Sequence, residues 1–464
     1  MACSRGGTRG VLLSLMMTAG VIGVAPCAHA ADKIKSIWEQ DTLTGDWGGA
    51  RTALSNRGID ITLNYTGDML TLLSGGVNRR SVYDGLVEFT ADVNLQKLVG
   101  WTGAKTQVTV FQIQNTKGGI TEATGSISPP SSIDALQTTR LFTAWFEQSF
   151  GNVAWLRIGQ LAADSEFFWS NTAGGLINGT FGWGDNLAAN MLNGGPAYPL
   201  AAPGVRLKLA PSDNVAVLGA VFTGDPAGPN CGGDDDDPQK CNRSGTAAFG
   251  LDGGALFMGE LQYSVNQGKH AVGLPGVYKL GGWYATADFS DQHYGSDPMG
   301  ARVSLADASA AYALMHQGNG GIYGVIDQMV WRGGDSSLSL FVRGGISPSD
   351  RNLVSYYVDG GMGIKGPLPG RADDRLTFGV AHAKISRDAV ALDQDNLALN
   401  GPLYTVRAAE TVFEASYIAQ IAPWWTVQPD LQYIWRPSGG QIPDDATQAI
   451  GYAFIAGVRS TIKF

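Results

Sequence analysis

Apolar and polar residues alternate one by one along most of the chain after residue 58. In one of these stretches Ile59, Ile61 and Leu63 alternate with Asp60 and Thr62. Successive side chains of a β-strand point to opposite faces of its sheet. This period of two therefore predicts a strand with one apolar face and one polar face.

Sixteen segments follow this pattern, and the connections between them are alternately short and long. Tight turns such as 211–213 and 422–423 contrast with long connections such as 163–202 and 225–253. An even number of strands about ten residues long, with short turns at one end and long loops at the other, is typical of outer-membrane barrels. We therefore predict an all-β fold, a 16-stranded antiparallel transmembrane β-barrel. The predicted strands are 59–73, 82–98, 104–115, 138–149, 152–162, 203–210, 214–224, 254–266, 276–290, 321–333, 336–347, 353–364, 373–386, 410–421, 424–437 and 449–464.

The composition favours a barrel whose apolar face contacts lipid. Only 16% of residues are charged and 64 of 464 are glycine. Sixteen strands enclose a lumen too wide for side chains to fill, so the polar face should contact water inside the barrel. Aromatic residues near predicted strand ends fit the girdles at membrane interfaces, namely Trp424, Trp425, Tyr433 and Trp435.

The N-terminus predicts export from the cytoplasm. Arg5 and Arg9 precede a short apolar stretch, and the sequence AHA follows at 28–30. This arrangement predicts a secretory signal peptide that is cleaved after Ala30. A membrane anchor is the alternative, but the apolar stretch is short for a membrane span.

These features divide the chain into three parts. We predict a signal peptide at 1–30, a periplasmic segment at 31–58 and the barrel at 59–464, in the outer membrane of a Gram-negative cell. The periplasmic segment should carry a short helix at about 47–56, capped by Asp46 and ended by Gly58.

The charge argues against a nucleic-acid partner. The formal net charge is −9, and loss of two arginines with the signal peptide leaves −11. A nucleic-acid-binding protein would instead carry a basic face.

Two of the four cysteines remain after cleavage, Cys231 and Cys241. A disulfide between them is expected in an oxidising compartment. They enclose the acidic run at 234–237. Cation binding is an alternative role for this run, but it lacks the spaced ligands of a calcium loop. We therefore predict a solvated acidic loop and no metal site.

The alternation also assigns side chains to the lumen. In the strand at 138–149, Phe142, Ala144 and Phe146 should face lipid, so that the residues between them face inward. Across the strands, the side chains predicted to line the pore are Glu88, Asp92, Trp145, Glu147, Arg157, Arg206, Lys208, Arg343 and Glu414. Such a mixed wall would suit a sugar, whose hydroxyl groups need donors and acceptors and whose C–H face packs on an aromatic ring. The alternative is that most of these residues are only solvated.

The connection at 163–202 is unusually apolar and aromatic for an exposed loop. Loops of this length are usually functional, and we expect this one to fold inward and narrow the pore. Its aromatic side chains, Trp169, Phe181, Trp183 and Tyr198, could stack on sugars or could anchor the loop to the wall. We favour anchoring, and we keep Trp169 and Trp183 as pore-lining candidates.

Several motifs resemble those of a known family. They are LTGDWGGARTALSNRGI at 43–59, GQLAADSEF at 159–167 and GGPAYPLAAPGVRLKLAP at 194–211. The mature chain resembles the carbohydrate-selective porins of the OprB type over its whole length. The resemblance implies a 16-stranded barrel that passes glucose and related neutral sugars passively, without a cofactor. It also implies pore-region positions for Arg206, in GVRL, and Glu166, in SEF.

The expected partners follow from this reading. They are small neutral sugars, outer-membrane lipid and lipopolysaccharide, and the barrel assembly machinery. The terminal Phe464 resembles the signal that this machinery reads. A monomer and a trimer both remain open.

Two other functions compete with this one. A general or anion-selective porin would have a similar lumen without sugar specificity. An outer-membrane barrel hydrolase could use His293 and Asp291, but no HExxH or GxSxG motif is present. The sequence therefore predicts a porin and not an enzyme.

Overall fold

The computed structural model describes residues 36–464, except for 117, 230, 232–236, 251–252, 269–270 and 443–447. Residues 37–464 form one compact unit. The predicted signal peptide and residues 234–236 of the acidic run lie outside the described residues. Among the residues described, no helix is long and apolar enough to cross a membrane.

Seventeen strands in the described residues form one antiparallel sheet, which closes because the first strand pairs with both the second and the last. Sixteen of them form the barrel, and the three-residue β10 extends one long connection. This confirms the predicted 16-stranded antiparallel barrel. The strands are β1 Ile59–Gly75, β2 Ser81–Asn94, β3 Ala104–Asn115, β4 Thr138–Phe150, β5 Ala154–Leu161, β6 Ala202–Ser212, β7 Val215–Thr223, β8 Ala255–Val265, β9 Gly276–Ser296, β10 Arg302–Ser304, β11 Tyr312–Gly333, β12 Ser336–Ile346, β13 Val354–Lys365, β14 Arg375–Ile385, β15 Ala409–Ala422, β16 Trp425–Trp435 and β17 Tyr452–Lys463.

Short helices occupy the connections. The α-helices are α1 Ala50–Asn56, α2 Leu95–Val99, α3 Gly119–Thr124, α4 Asp185–Ala188, α5 Pro238–Cys241 and α6 Arg387–Asn400. Single 3₁₀ turns lie at Ile37–Glu39, Trp47–Gly49, Ala173–Gly175, Gly179–Phe181, Leu192–Gly194 and Pro437–Gly439.

The N-terminal helix is present as predicted, although it begins later. A 3₁₀ turn at Trp47–Gly49 precedes α1, and Asp46 Oδ1 accepts hydrogen bonds from the Thr52 amide and hydroxyl at 2.8 Å each. Gly58 follows the helix with φ +88°, a conformation that favours glycine.

The predicted strand at 82–98 is wrong in its last residues, which form α2. Asn94 caps this helix by accepting a hydrogen bond from the Lys97 amide at 3.1 Å, and Gly100 ends it with φ 79°. Side-chain capping and a left-handed glycine end a strand whatever the alternation around them. Conversely, β9 ends later and β11 begins earlier than predicted, at the side of the barrel that carries the long loops.

The outer surface of the barrel is apolar, as the alternation predicts. Large outward side chains such as Phe89, Ile158, Val342 and Phe413 are exposed. Phe142 is an exception to its predicted lipid-facing position, because its ring stacks on the buried Phe111, with ring centroids 4.4 Å apart. Phe142 has no partner residue in the β3–β4 register. This β-bulge reverses the alternation of faces at that point.

Candidate functional site

The lumen is divided by the connection between β5 and β6, residues 162–201, which we call the inner loop. It folds against the inward face of β8–β16, as the sequence predicts. Its aromatic side chains anchor it. Phe168 and Tyr323 meet edge to face with ring centroids 5.2 Å apart, and Phe181 and Phe341 meet in the same way at 6.3 Å. The larger of the two buried apolar clusters in the described residues therefore lies inside the barrel, where the inner loop packs on the wall.

Arg343 on β12 is the main polar anchor of the inner loop. Its guanidinium donates to the backbone oxygens of Phe168 (3.0 Å), Thr180 (3.1 Å) and Gly182 (3.3 Å), and it pairs with Asp359. The Arg343 side chain has no exposed surface. The alternation correctly predicts that Arg343 faces inward, but the inner loop covers its guanidinium. Arg343 therefore holds the loop and does not contact the pore.

Carboxylates on two other strands, β11 and β15, hold two further points of the inner loop. Asp327 on β11 accepts hydrogen bonds from the Ser170 hydroxyl (2.7 Å) and from the amide (2.9 Å) and hydroxyl (2.7 Å) of Thr172. Glu414 on β15 accepts from the amides of Ile177 and Asn178. Glu414, like Arg343, faces inward as predicted but is buried. It therefore contacts the inner loop and not the open pore.

A second connection, residues 116–137, also folds inward and supports the first. Glu410 accepts hydrogen bonds from the Ser126 hydroxyl (2.6 Å) and the Ser128 amide (3.0 Å). The Ser128 hydroxyl in turn donates to Asp185 of the inner loop at 2.7 Å. The two loops thus form one layer of polypeptide across part of the lumen.

Two buried carboxyl groups of the inner loop have shifted pKa values. Burial raises the pKa of Asp164 to about 6, although its carboxylate accepts a hydrogen bond from the Tyr198 amide. Burial, with a further contribution from the Glu410 carboxylate, raises the pKa of Asp185 to about 7. Both side chains therefore gain charge in the folded loop at a higher pH than in water.

Beside the inner loop the lumen keeps a polar cavity of about 340 Å³, which we call the charged pocket. It lies against the inward faces of β3–β8, at the point where the inner loop leaves β5. Its lining residues are Lys105, Glu147, Trp155, Arg157, Ser165, Glu166, Arg206, Lys208, Leu218 and Gln262.

The charged pocket is organised around two shared carboxylates. Glu147 pairs with Lys105 (2.9 Å), Arg157 (2.9 Å) and Arg206 (2.8 Å). Glu166, which comes from the inner loop, pairs with Arg157 (2.9 Å) and Arg206 (2.7 Å). Adjacent strands bring these groups together, because Glu147 lies opposite Arg157 and Arg157 lies opposite Arg206 in the register. The result is a fixed row of charge-assisted hydrogen bonds.

Two tryptophans accompany this network, and only one of them lines the pocket. The Arg157 guanidinium lies over the Trp145 ring at 4.0 Å from its centroid, and Trp145 is buried beneath it. Trp155 lines the cavity and lies 5.8 Å from the Lys208 ammonium group. Trp155, and not the predicted Trp145, is therefore the tryptophan that borders the cavity.

The remaining predicted residues lie outside the pocket lining. Glu88 and Asp92 are half-buried on β2, where they accept hydrogen bonds from Asn64 (3.4 Å) and Gln107 (2.8 Å). Trp169 is partly exposed and donates to Asn171 Oδ1 at 2.9 Å.

Trp183 serves the internal structure of the inner loop. Its indole N–H donates to the backbone oxygen of Gly194 at 2.9 Å. The structure thus brings together Glu147, Arg157, Glu166, Arg206 and Lys208 of the predicted set, and adds residues that the sequence analysis missed, namely Lys105, Trp155, Ser165, Leu218 and Gln262.

The two remaining cysteines and the C-terminal residue make local contacts. A disulfide joins Cys231 and Cys241, whose Cα atoms lie 5.6 Å apart. The Phe464 amide donates to Leu63 O at 2.9 Å, and Arg51 donates to Phe464 O at 2.7 Å. The roles expected for Phe464 in assembly and for lipopolysaccharide as a partner stay predictions. Within the described ranges no group of three or more His, Cys, Asp or Glu side chains could hold a metal ion.

His293, which the sequence analysis considered for a hydrolase together with Asp291, pairs with a different carboxylate. His293 Nε2 lies 2.8 Å from Asp395 Oδ2 on α6, and His316 Nε2 lies 2.8 Å from Asp291 Oδ2. The Asp291 carboxylate also accepts a hydrogen bond from the His293 backbone amide. Asp291 therefore does not orient the His293 ring as a catalytic carboxylate would.

Comparison with known proteins agrees with this architecture. The model of the family described as "Carbohydrate-selective porin, OprB family" matches residues 79–464. The chain is 28% identical to Porin B of Pseudomonas aeruginosa, with 96% of each chain covered. It is 23% identical to the putative porin QuiX of Acinetobacter baylyi, with 96% of this chain and 98% of that protein covered.

A solved structure gives the same result for the fold. The high-pH structure of Pseudomonas putida OprB superimposes with a TM-score of 0.78 at 24% identity, covering 93% of this chain and all of that one. The predicted family, barrel fold, outer-membrane location and sugar-selective porin function are confirmed. The chain belongs to the OprB family of carbohydrate-selective porins.

Proposed function

We propose that sugars of monosaccharide size cross the outer membrane passively through the space beside the inner loop, and that they bind weakly in the charged pocket. The observation that supports this route is the contact of Glu166 with Arg157 and Arg206. It fixes the start of the inner loop against a part of the wall where charged and aromatic side chains border a polar cavity. The pocket volume, about 340 Å³, lies in the range of small-molecule sites.

The pairing inside the pocket explains why binding should be weak. Glu147, Glu166, Arg157 and Arg206 already satisfy one another, so a sugar exchanges water for protein contacts without relieving an unpaired charge. Weak binding raises the local solute concentration while release stays fast enough for flux. The fixed groups supply donors and acceptors for hydroxyl groups, and Trp155 supplies an apolar surface.

The inner loop sets the size limit of this route. It is held to the wall at Asp327, Arg343 and Glu414, so the free space beside it has a fixed width. We therefore expect discrimination by size in addition to discrimination by hydroxyl groups. A channel of this kind needs no catalytic group and no cofactor.

Swelling of liposomes that contain the purified protein tests the proposal. The solutes are glucose, a disaccharide and an uncharged non-sugar solute matched in size to each. We expect glucose to enter faster than its size-matched control and the disaccharide to enter more slowly than glucose. Rates that follow solute size alone would show a general porin instead.

A pair of arginine variants locates the effect. Arg206→Ala removes a pocket cation, and we expect the ratio of glucose entry to control entry to fall. Arg387→Ala is the matched control, because its side chain is 88% exposed at the start of α6, outside the barrel strands. If both variants lower the ratio equally, the charged pocket is not the point of selection.

A further inference from the structure

The charged pocket carries more positive than negative charge. Four of its lining side chains are cationic and two are carboxylates, an excess of two positive charges. This excess does not reflect the chain as a whole, which has a net charge of −9. A local field opposite in sign to the net charge has to come from the placement of particular side chains.

Lys208 is the clearest source of the excess. Its ammonium group makes no ion pair within the described part of the chain, and its neighbour in the pocket is the Trp155 ring at 5.8 Å. Lys105 contributes as well, because it shares Glu147 with two arginines and its side chain is 52% exposed.

Two further carboxylates on this side of the wall lie outside the pocket lining and are bonded to other groups. Asp92 on β2 accepts a hydrogen bond from Gln107 at 2.8 Å. Glu260 on β8 pairs with Lys279 at 3.3 Å and also accepts from the Phe168 amide at 2.9 Å. Neither of these side chains is among those that line the charged pocket.

We propose that the pore favours hydroxylated monocarboxylates, the sugar acids, over neutral sugars of the same size. This inference rests on the proposed route through the charged pocket and names the preferred substrate class. The carboxylate of such a solute pairs with Lys208, its ring C–H face packs on Trp155, and its hydroxyl groups meet Glu166 and Gln262. Attraction across a narrow, water-filled lumen raises the local concentration of the anion without tight binding.

Three sugars with the same pyranose ring test the charge preference directly. Radiolabelled glucuronate, glucose and glucosamine carry a negative, zero and positive charge at neutral pH. Uptake is measured in proteoliposomes whose membrane potential is held at zero with equal potassium and valinomycin. We expect glucuronate to enter at least about threefold faster than glucose, and glucosamine to enter more slowly than glucose.

Raising the salt concentration and changing one lysine locate the effect. The advantage of glucuronate should shrink at 1 M salt, where charges are screened over about 3 Å. Lys208→Gln should lower the ratio of glucuronate to glucose uptake, a ratio that does not depend on how much protein has folded. Lys365→Gln is the matched control, since this exposed residue ends β13 away from the pocket and should keep the wild-type ratio.

The outcomes separate this inference from the proposed function. Glucose uptake that equals or exceeds glucuronate uptake would overturn the preference for sugar acids. If glucose then still entered faster than its size-matched non-sugar control, the proposed route would stand. A sulfonate of similar size that lacks hydroxyl groups is the remaining control. If it entered as fast as glucuronate, the pore would select anions alone, and the inference would be wrong.

Discussion

Asp68 on β1 and Arg459 on β17 form a bidentate ion pair, with two N···O distances of 2.7 Å, across the seam that closes the barrel. The Asp68 side chain is fully buried, and the Ser131 hydroxyl of an inward-folded connection donates to it at 2.7 Å. The same pair therefore joins the first strand, the last strand and the inward-folded connection that carries Ser131.

Breaking this pair should destabilise the closed barrel. Asp68→Asn leaves Arg459 without its partner charge, and removal of one member of a buried pair typically costs about 3–5 kcal/mol. The free energy of unfolding in detergent, measured with denaturant and tryptophan fluorescence, reports the loss. The control is Asp373→Asn, whose pair with Lys365 is exposed at 3.9 Å and should contribute less than about 1 kcal/mol. Equal losses in the two variants would contradict a special role for the seam.

Releasing the inner loop should widen the pore. Asp327→Ala removes acceptors for Ser170 and Thr172, three hydrogen bonds worth about 1 kcal/mol or more each. We expect larger and noisier single-channel currents in planar bilayers and a higher ratio of disaccharide to glucose entry. Asp335→Ala, on an exposed turn between β11 and β12, is the control and should match the wild type. An unchanged current in Asp327→Ala would mean that the other anchors suffice.

The aromatic surface of Trp155 should contribute to sugar selection. In Trp155→Leu the lost contact with the sugar ring is worth about 1 kcal/mol, so the glucose-to-control entry ratio should fall roughly fivefold. Trp101→Leu is the matched control, because Trp101 is exposed and packs on Phe146 of the outer face. A ratio that falls only in Trp101→Leu would place the selection elsewhere.

Stability should depend on pH through Asp185. The ordinary pKa of an aspartate, 3.8, applies to the unfolded chain, whereas the pKa of Asp185 in the folded loop is about 7. The folded protein therefore binds this proton more tightly than the unfolded chain. This contribution to stability is complete below pH 3.8 and is lost as the pH rises toward 7, by up to about 1.4 kcal/mol per pH unit. Asp185→Asn should flatten the fall of the denaturation midpoint between pH 4 and pH 8, whereas Asp335→Asn should keep the wild-type slope. Parallel slopes for all three proteins would show that other groups control the pH response.

The alternation of residues was sufficient to predict the barrel and one side of its lumen. Glu147, Arg157 and Arg206 were assigned inward because each lies between outward apolar neighbours, and the register brings the three together. The same reasoning was available for Lys105 and Trp155, which also alternate with outward residues. The signal is weaker for these two, because Lys105 lies between the small Ala104 and the polar Thr106, and because Trp155 is itself apolar and interrupts the alternation.

The alternation could not predict what covers an inward side chain. Arg343 and Glu414 are on the lumen face, but the inner loop lies over them, and the position of that loop depends on contacts between residues far apart in sequence. The predicted lipid-facing position of Phe142 was wrong for a related reason. A β-bulge adds one unpaired residue to the strand, and the alternation of apolar and polar residues does not reveal it. Local patterns report the face of a strand and not its long-range partners.

The anchors of the inner loop also set an order of events when the barrel folds. The wall residues that hold residues 162–201 lie on four different strands, β8, β11, β12 and β15, namely Glu260, Asp327, Arg343 and Glu414. The loop therefore cannot reach its final position until β15 has joined the sheet. A barrel without β15 would lack the Glu414 contacts that help to fix the width of the space beside the inner loop.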